Sequence, residues 1–203
     1  KKYNTESALN NFCEYSMIDP AFLAACYGFT EDEVKMLAER HNASMDNLKM
    51  WYDGYNIGRE KSIYNPYSVM KALQRGSCRS YWTTTGAYDS VITYIQMNFD
   101  GLKDDIIRML SGESVYVNTS KFQNDMNIVR SKNDVLTVLI HLGYLAYDDE
   151  KQQCYVPNKE VTDELLNAVE DTSWKRLADA ITASRNLLDA TIAGNENAVA
   201  QAI

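Results

Sequence analysis

The chain has 203 residues, of which 45% are hydrophobic and 24% charged, values that fit a folded globular protein and exclude a disordered or fibrous one. Its 20 basic and 28 acidic residues give a net charge of −8, which disfavours binding of nucleic acid by the whole surface. No apolar run approaches the roughly 20 residues that cross a bilayer, so we expect no membrane partner. The four cysteines lack metal-ligand spacing, and no secretion signal is found. We therefore expect buried free thiols in a cytoplasmic protein.

The first predicted elements are two short helices. Thr30 and Glu33 have the spacing of a capping box, in which each residue satisfies a backbone N–H of the other. The apolar spacing that follows predicts a helix up to about His41. A second helix is expected at 45–50.

The next stretch changes character at residue 51. The sequence of residues 51–64 is typical of irregular chain with short strand pairs, and the dipeptide Asp53-Gly54 within it predicts a turn. Asn65 is typical of an N-cap and Pro66 of the first helical position, where its missing N–H costs nothing. These two residues predict a third helix that ends near Gly76.

The remaining elements alternate between helices and short strands. They are helices at 88–97 and 102–110, a strand at 114–117, a helix from Ser131 to Gly143, strands at 144–147 and 153–156, and helices after Pro157, from Trp174 to Gly194 and after Asn195. Helix, two-stranded hairpin and helix in succession are the outline of a partial winged-helix-like module. The predicted fold is mainly α with short β-hairpins. Because no stop signal follows the last helix and no initiator Met precedes the first, we expect a fragment of a longer protein.

The sequence motifs that would carry chemistry are weak. No segment has the pattern of a phosphate-binding loop, so we predict no nucleotide or metal site. Residues 148–150 are acidic like the end of a Walker B strand, but a solvated hairpin turn explains them better. Asp19 with Glu33-Val34-Lys35 has the letters of a nuclease motif, yet residues two apart on a helix do not face one another. His41 and His141 have no nucleophile or acid at an informative spacing. We therefore expect no catalytic residue and no cofactor in this chain.

The charge of the winged-helix-like segment argues against duplex DNA as a partner. Residues 131–172 contain three lysines and nine acidic residues, a net charge of −6. A helix that reads a DNA groove needs Lys and Arg to neutralise phosphates. We expect this module to pack on protein.

Aromatic residues are concentrated between 51 and 82. They are Trp51, Tyr52, Tyr55, Tyr64, Tyr67, Tyr81 and Trp82. The favoured interpretation is a core built from rings, in which Trp51 and Tyr55 are substantially buried. The alternative is a surface that contacts another domain, because Tyr and Trp suit half-buried interfaces.

An ordered series of short motifs gives the chain a resemblance to a known family. The motifs are Tyr27-Gly28-Phe29-Thr30-Glu31-Asp32-Glu33-Val34, Trp51-Tyr52-Asp53-Gly54-Tyr55, Ile63-Tyr64-Asn65-Pro66-Tyr67-Ser68-Val69, Tyr81-Trp82 with Thr85-Gly86, Leu142-Gly143-Tyr144-Leu145, and Val156-Pro157-Asn158-Lys159-Glu160-Val161. In this order they resemble the bacterial AAA-ATPase-like family whose members usually carry a C-terminal PD-(D/E)XK nuclease domain. The resemblance covers nearly the whole chain.

The resemblance implies a place between two other domains. Residues 1–128 would form a helical lid region that includes the aromatic-rich 51–82 segment, residues 129–172 a winged-helix-like module, and residues 173–203 a helical linker. The ATPase core and the nuclease-like domain would be intramolecular partners, and ATP and Mg²⁺ would be cofactors of the longer protein. No catalytic residue carries over.

Three functions stay open at this point. The first is a non-catalytic lid and regulatory module that couples the ATPase core to the nuclease-like domain. The second is a stand-alone acidic winged-helix-like adaptor that binds protein, and the third is an enzyme with an undetected site. In related signalling ATPases a winged-helix histidine contacts the nucleotide's phosphate, and His141 lies in a comparable element. The family-signature residues are Trp51, Tyr52, Asp53, Gly54, Tyr55, Tyr64, Asn65, Pro66, Gly143, Tyr144, Pro157 and Asn158.

Overall fold

The computed structural model describes residues 15–82, 93, 95, 99, 101–120, 129–170 and 175–202. Its helices are a 3-10 helix at Ala21–Cys26, then α1 (Glu31–His41), α2 (Met45–Tyr52), α3 (Pro66–Arg75), α4 (Leu102–Leu110), α5 (Lys132–His141), α6 (Lys159–Glu170), α7 (Lys175–Ile192) and α8 (Glu196–Ala202). Its strands are β1 (Tyr55–Ile57), β2 (Glu60–Ile63), β3 (Val115–Tyr116), β4 (Ala146–Asp148) and β5 (Gln153–Tyr155). The predicted mainly α fold with short hairpins is confirmed. The predicted helix at 88–97 lies largely outside the described residues.

The predicted helix starts in the first part of the chain are confirmed. The Thr30 hydroxyl accepts a hydrogen bond from the Glu33 N–H at 3.4 Å, and the Glu33 carboxylate accepts one from the Thr30 N–H at 2.8 Å. Asn65 is the N-cap of α3, and Pro66 is its first residue. Gly76 ends α3 with a φ of 65°. One boundary differs, because α2 continues two residues past the predicted end and so includes Trp51 and Tyr52.

Helices α1, α2 and α3 enclose the first hydrophobic core. Its buried members are Val34, Ala38, Leu48, Tyr52, Tyr64, Val69, Ala72, Leu73 and Tyr81. An isolated bridge ties this core to the chain before α1, since Phe29 and Tyr64 exchange backbone hydrogen bonds of 2.8 and 3.0 Å. We call residues 15–82 the helical part.

The second core lies between α4, α5, α6 and an antiparallel sheet. The sheet order is β3-β5-β4, and Cys154 in the middle strand pairs with Val115 on one side and Tyr147 on the other. The predicted succession of helix, hairpin and helix is confirmed, and β3 adds a third strand that the sequence did not assign to the hairpin. The Lys132 ammonium lies 2.6 Å from an Asp105 carboxylate oxygen and joins α5 to α4. We call residues 101–120 and 129–170 the sheet part.

A third, smaller apolar cluster joins the two parts. It contains Ala24, Tyr55, Ile57, Ile63 and Ala146. β1 of the helical part thus packs against β4 of the sheet part. The predicted boundary at 128 separates residues that share the second core, which contains both Val115 and Leu139. The division into regions stays a prediction.

Two further findings concern the surface. Among the described residues, no helix has the length and apolar character needed to cross a membrane. Cys26, Cys78 and Cys154 are free thiols, and only Cys154 is buried, whereas Cys26 is exposed. The expectation of buried thiols is therefore correct for Cys154 and wrong for Cys26, whereas Cys78 is half-buried and Cys13 lies outside the described residues.

Candidate functional site

The signature residues are far apart in sequence, and the structure brings most of them together where the helical part meets the sheet part. One contact is made by the turn after α2. A Cβ atom on Gly54 would lie 2.0 Å from the carbonyl oxygen of Pro157, and Gly54 has a φ of 109°. Only glycine therefore permits this approach of two backbones. The Tyr155 hydroxyl adds a hydrogen bond of 3.1 Å to the Gly54 carbonyl oxygen.

Asn158 makes the second contact. Its side-chain amide donates to the Asp53 carbonyl oxygen at 2.8 Å, and its Oδ1 accepts from the Val161 N–H at 3.1 Å. The second bond occupies an otherwise unpaired N–H in the first turn of α6, which is the role of an N-cap. One side chain thus starts a helix of the sheet part and holds the helical part.

Tyr55 makes the third contact. Its hydroxyl donates a hydrogen bond of 2.6 Å to the carbonyl oxygen of Gly143, and the ring is buried. Burial raises the pKa of this phenol, so it stays a neutral donor. Tyr144, which follows Gly143, is fully buried. Its ring packs edge-on against the Trp82 ring, with 4.5 Å between the two ring centroids.

The other signature residues shape the helical part from inside. The Asn65 N–H donates to the Tyr52 carbonyl oxygen at 3.3 Å, which sets α3 against α2. The Tyr52 hydroxyl donates to the Arg79 carbonyl oxygen at 2.9 Å and accepts from the Arg79 N–H at 3.0 Å. Tyr64 is fully buried, and its hydroxyl and one Asp53 carboxylate oxygen have no hydrogen-bond partner in the described part of the chain.

Trp51 departs from its prediction. Its ring is half-buried, whereas Tyr52 and Tyr55 are buried as expected of a core. The Lys159 ammonium lies 5.0 Å from the centroid of the Trp51 ring and covers its outer face. The Trp51 ring packs against the first core but is not enclosed by it, because Trp51 is next to Tyr52 on α2 and neighbouring helical positions do not share a face.

A cavity of about 190 Å³ lies beside these contacts. Its walls come from both parts of the molecule: Met17, Tyr27, Tyr55, Ile57, Ile63, Tyr64, Asn65, Pro66, Trp82, His141, Leu142 and Gly143. His141 is half-buried in this wall, and burial lowers the pKa of its imidazole. The side chain is therefore neutral at physiological pH.

Two buried carboxyl groups lie on α6 at positions that the sequence did not single out. Glu160 and Glu164 are each 1% exposed, although both contribute to the net charge of −6 of residues 131–172. Glu160 Oε1 accepts hydrogen bonds from the Tyr81 N–H at 2.8 Å and the Ser68 hydroxyl at 2.9 Å. Glu164 Oε1 accepts one from the Ser80 hydroxyl. Each of them directly precedes a buried apolar residue of α6, Val161 or Leu165, so apolar periodicity alone does not reveal that the glutamates are buried as well.

The residues of the weaker sequence motifs have structural positions that need no catalytic role. Glu33 serves the capping box, and Lys35 is exposed on the same helix. Asp148 is the last residue of β4, and residues 149–150 begin the β4–β5 turn, across which Asp148 pairs with Lys151 at 3.1 Å. His41 is exposed at the end of α1. In the part of the chain that the structure covers, no three His, Cys, Asp or Glu residues are grouped to hold a metal ion.

The chain is similar over part of its length to a bacterial protein. Over 87 residues it is 34% identical to an "Uncharacterized protein in vnfD 5'region" of Azotobacter chroococcum mcd 1. The similarity spans 42% of this chain and 16% of that relative. The chain therefore spans less than a fifth of the length of the relative it matches. No family model matches the chain, and no solved structure matches it.

Proposed function

We propose that this chain is a non-catalytic lid and regulatory module of a longer AAA-ATPase-like protein, in which it couples an ATPase core to a C-terminal nuclease-like domain. The observation that carries the proposal is the position of the signature. Gly54, Tyr55 and Asn158 each contact the backbone of a residue in the other part of the molecule. These contacts fix one packed part relative to the other.

Packed contacts of this kind suit mechanical coupling. Closely packed interfaces switch between discrete arrangements and do not deform continuously, so a displacement of one part moves the other. The cavity beside His141 is lined from both parts, so its shape also follows their relative position. A nucleotide-dependent displacement of the helical part would then displace the sheet part, with no catalytic step in this chain.

The sheet part supports a winged-helix-like module within the same proposal. Its elements follow the order α4, β3, α5, β4 and β5, and the last strand lies in the middle of the sheet. The β4–β5 turn carries Asp149 and Glu150, both exposed, which favours contact with protein over contact with phosphate. A cytoplasmic location is part of the proposal and is supported by the free thiols Cys26, Cys78 and Cys154.

A nucleotide titration of the longer natural protein tests the proposal. Amide hydrogen exchange is measured with and without Mg·ATP in residues 51–66 and 141–158, and the same measurement is made on this chain alone. We expect ATP to change exchange in these segments of the longer protein and to leave this chain unaffected. Tyr55→Phe removes the bond to Gly143 and should reduce the response, whereas Tyr116→Phe alters an exposed ring and should not.

The same measurement separates the alternatives. If ATP does not change amide hydrogen exchange in these segments of the longer protein, the result would contradict coupling. It would favour the stand-alone acidic winged-helix-like adaptor. ATP turnover by this chain alone that is abolished by one substitution within it would favour an enzyme instead.

A further inference from the structure

Two glutamates on consecutive turns of α6 hold one loop. The loop is residues 77–82, which follow α3, and we call it the latch loop. Glu160 holds it through the Tyr81 N–H at 2.8 Å, and Glu164 holds it through the Ser80 hydroxyl. Glu160 also holds α3 itself through the Ser68 hydroxyl at 2.9 Å. The pair therefore clamps the helical part onto α6.

Among the described residues, no basic side chain forms an ion pair with the buried carboxyl pair. None of the ion pairs in the described part of the chain includes Glu160 or Glu164. The nearby cations have other contacts, because Lys159 pairs with Asp163 at 3.6 Å and Arg79 lies 5.3 Å from the centroid of the Tyr81 ring. Among the described residues, Tyr52 on α2 and Tyr55 on β1 interact electrostatically with Glu160, and Asp163 on α6 with Glu164. Lys159 adjoins the pair on α6. Arg75 of α3 and Arg79 of the latch loop contact the Tyr81 ring, and Cys78 of the latch loop lies beside Tyr52.

Two buried carboxylates at this spacing repel each other. Residues four apart on a helix are neighbours, and a like charge in a poorly solvated place disfavours ionisation of its partner. One oxygen of Glu164, Oε2, is buried and has no hydrogen-bond partner among the described residues. An unpartnered carboxylate oxygen is costly to bury, whereas a neutral carboxyl group is much less so.

We propose that Glu160 and Glu164 are a pH-sensitive latch: a proton held by the pair keeps the latch loop closed on α6 in mildly acidic conditions, and loss of that proton near neutral pH loosens the loop. This regulation does not depend on the proposed coupling function. The contacts between the helical part and α6 should therefore weaken when the pH rises.

The direction of the effect follows from linkage. Burial, with a smaller contribution from the Glu164 charge, raises the pKa of Glu160 to about 7 from an ordinary value of 4.5. Burial also raises the pKa of Glu164. A group whose pKa is higher in the closed form stabilises that form fully when the pH is below the ordinary pKa of the group. This stabilisation is lost as the pH rises through the value in the closed form.

Hydrogen exchange of the latch loop in the whole chain tests the latch. Exchange of residues 77–82 is measured at pH 6 and pH 8 and corrected for the intrinsic pH dependence of exchange. A group with a pKa of about 7 when closed and 4.5 when open raises the opening equilibrium about tenfold over this interval. Glu160→Gln with Glu164→Gln should remove the pH dependence, because each amide keeps an acceptor oxygen and has no proton to lose. Glu113→Gln alters an exposed acid and should leave the tenfold change intact.

Two results would overturn the latch. One is a corrected opening equilibrium that changes less than twofold between pH 6 and pH 8 in the natural chain. The other is a double Gln variant that keeps the tenfold change. If the double variant does not fold, infrared spectroscopy of the natural chain decides the matter. A protonated carboxyl band must be present at pH 6 and lost at pH 8, and its absence at pH 6 contradicts the latch.

Discussion

The side-chain amide of Asn158 donates a hydrogen bond of 2.8 Å to the backbone carbonyl oxygen of Asp53, 105 positions earlier in the chain. The same side chain caps α6 through the Val161 N–H. Both residues belong to the signature residues defined above, yet they lie in segments that are remote from each other in sequence. The relationship indicates that the signature has a structural task, which is to hold the sheet part against the helical part.

We predict that Asn158→Ala destabilises the chain by about 2–3 kcal/mol. Loss of the cap costs about 1 kcal/mol, and the buried Asp53 carbonyl that loses its partner adds about 1–2 kcal/mol. Urea denaturation measures the change in the free energy of unfolding. Asn195→Ala is the matched control, because Asn195 caps α8 through the Ala198 N–H at 3.1 Å and is exposed. Equal effects of the two substitutions would contradict the joining role of Asn158.

Gly54→Ala should be far more harmful than Gly112→Ala. Both glycines have a positive φ, 109° and 93°, so both substitutions strain the backbone by about 1–2 kcal/mol. Only at Gly54 does the new Cβ meet another backbone, that of Pro157, whereas nothing lies within 4 Å of it at Gly112. Overpacking adds about 1–3 kcal/mol. Thermal melts of the two variants at one pH measure the difference, and similar melting temperatures would show that the close approach of Gly54 and Pro157 is unimportant.

Trp51→Ala should cost about 1–3 kcal/mol, less than Tyr52→Ala at about 3–5 kcal/mol. Trp51 is only half-buried under Lys159, whereas Tyr52 is fully buried and bonded to Arg79. Chemical denaturation of both variants tests the order. A larger loss for Trp51→Ala would restore the core role that the sequence suggested for this ring.

Local chemistry was predictable from the sequence, and long-range packing was not. The starts of α1 and α3 follow from side chains that bond within three residues of themselves, as Thr30 and Asn65 do. The approach of Gly54 to Pro157 depends on how two parts of the fold dock, which no local pattern encodes. Glu160 and Glu164 look like solvated charges in sequence because their Ser and backbone partners belong to other elements.

We predict no affinity for duplex DNA tighter than about 10⁻⁶ M at physiological salt, the upper range of ordinary non-specific binding. The burial of Glu160 and Glu164 removes two acids from the surface of the sheet part. Asp149 and Glu150 remain exposed at its hairpin turn and still repel phosphate. Fluorescence anisotropy with a labelled duplex gives the constant. Tighter binding that weakens steeply with added salt would refute the prediction.

Native-state hydrogen exchange of this chain in low urea tests whether the signature contacts join the helical part and the sheet part into one cooperative unit. We predict that the slowest amides of α3 and α5 open with the same free energy and the same urea dependence. Tyr55→Phe should lower the opening free energy of both helices by the same amount. Amides of α3 and α5 that open with free energies differing by more than about 1 kcal/mol, or a Tyr55→Phe effect confined to one helix, would show that the two parts are independent units.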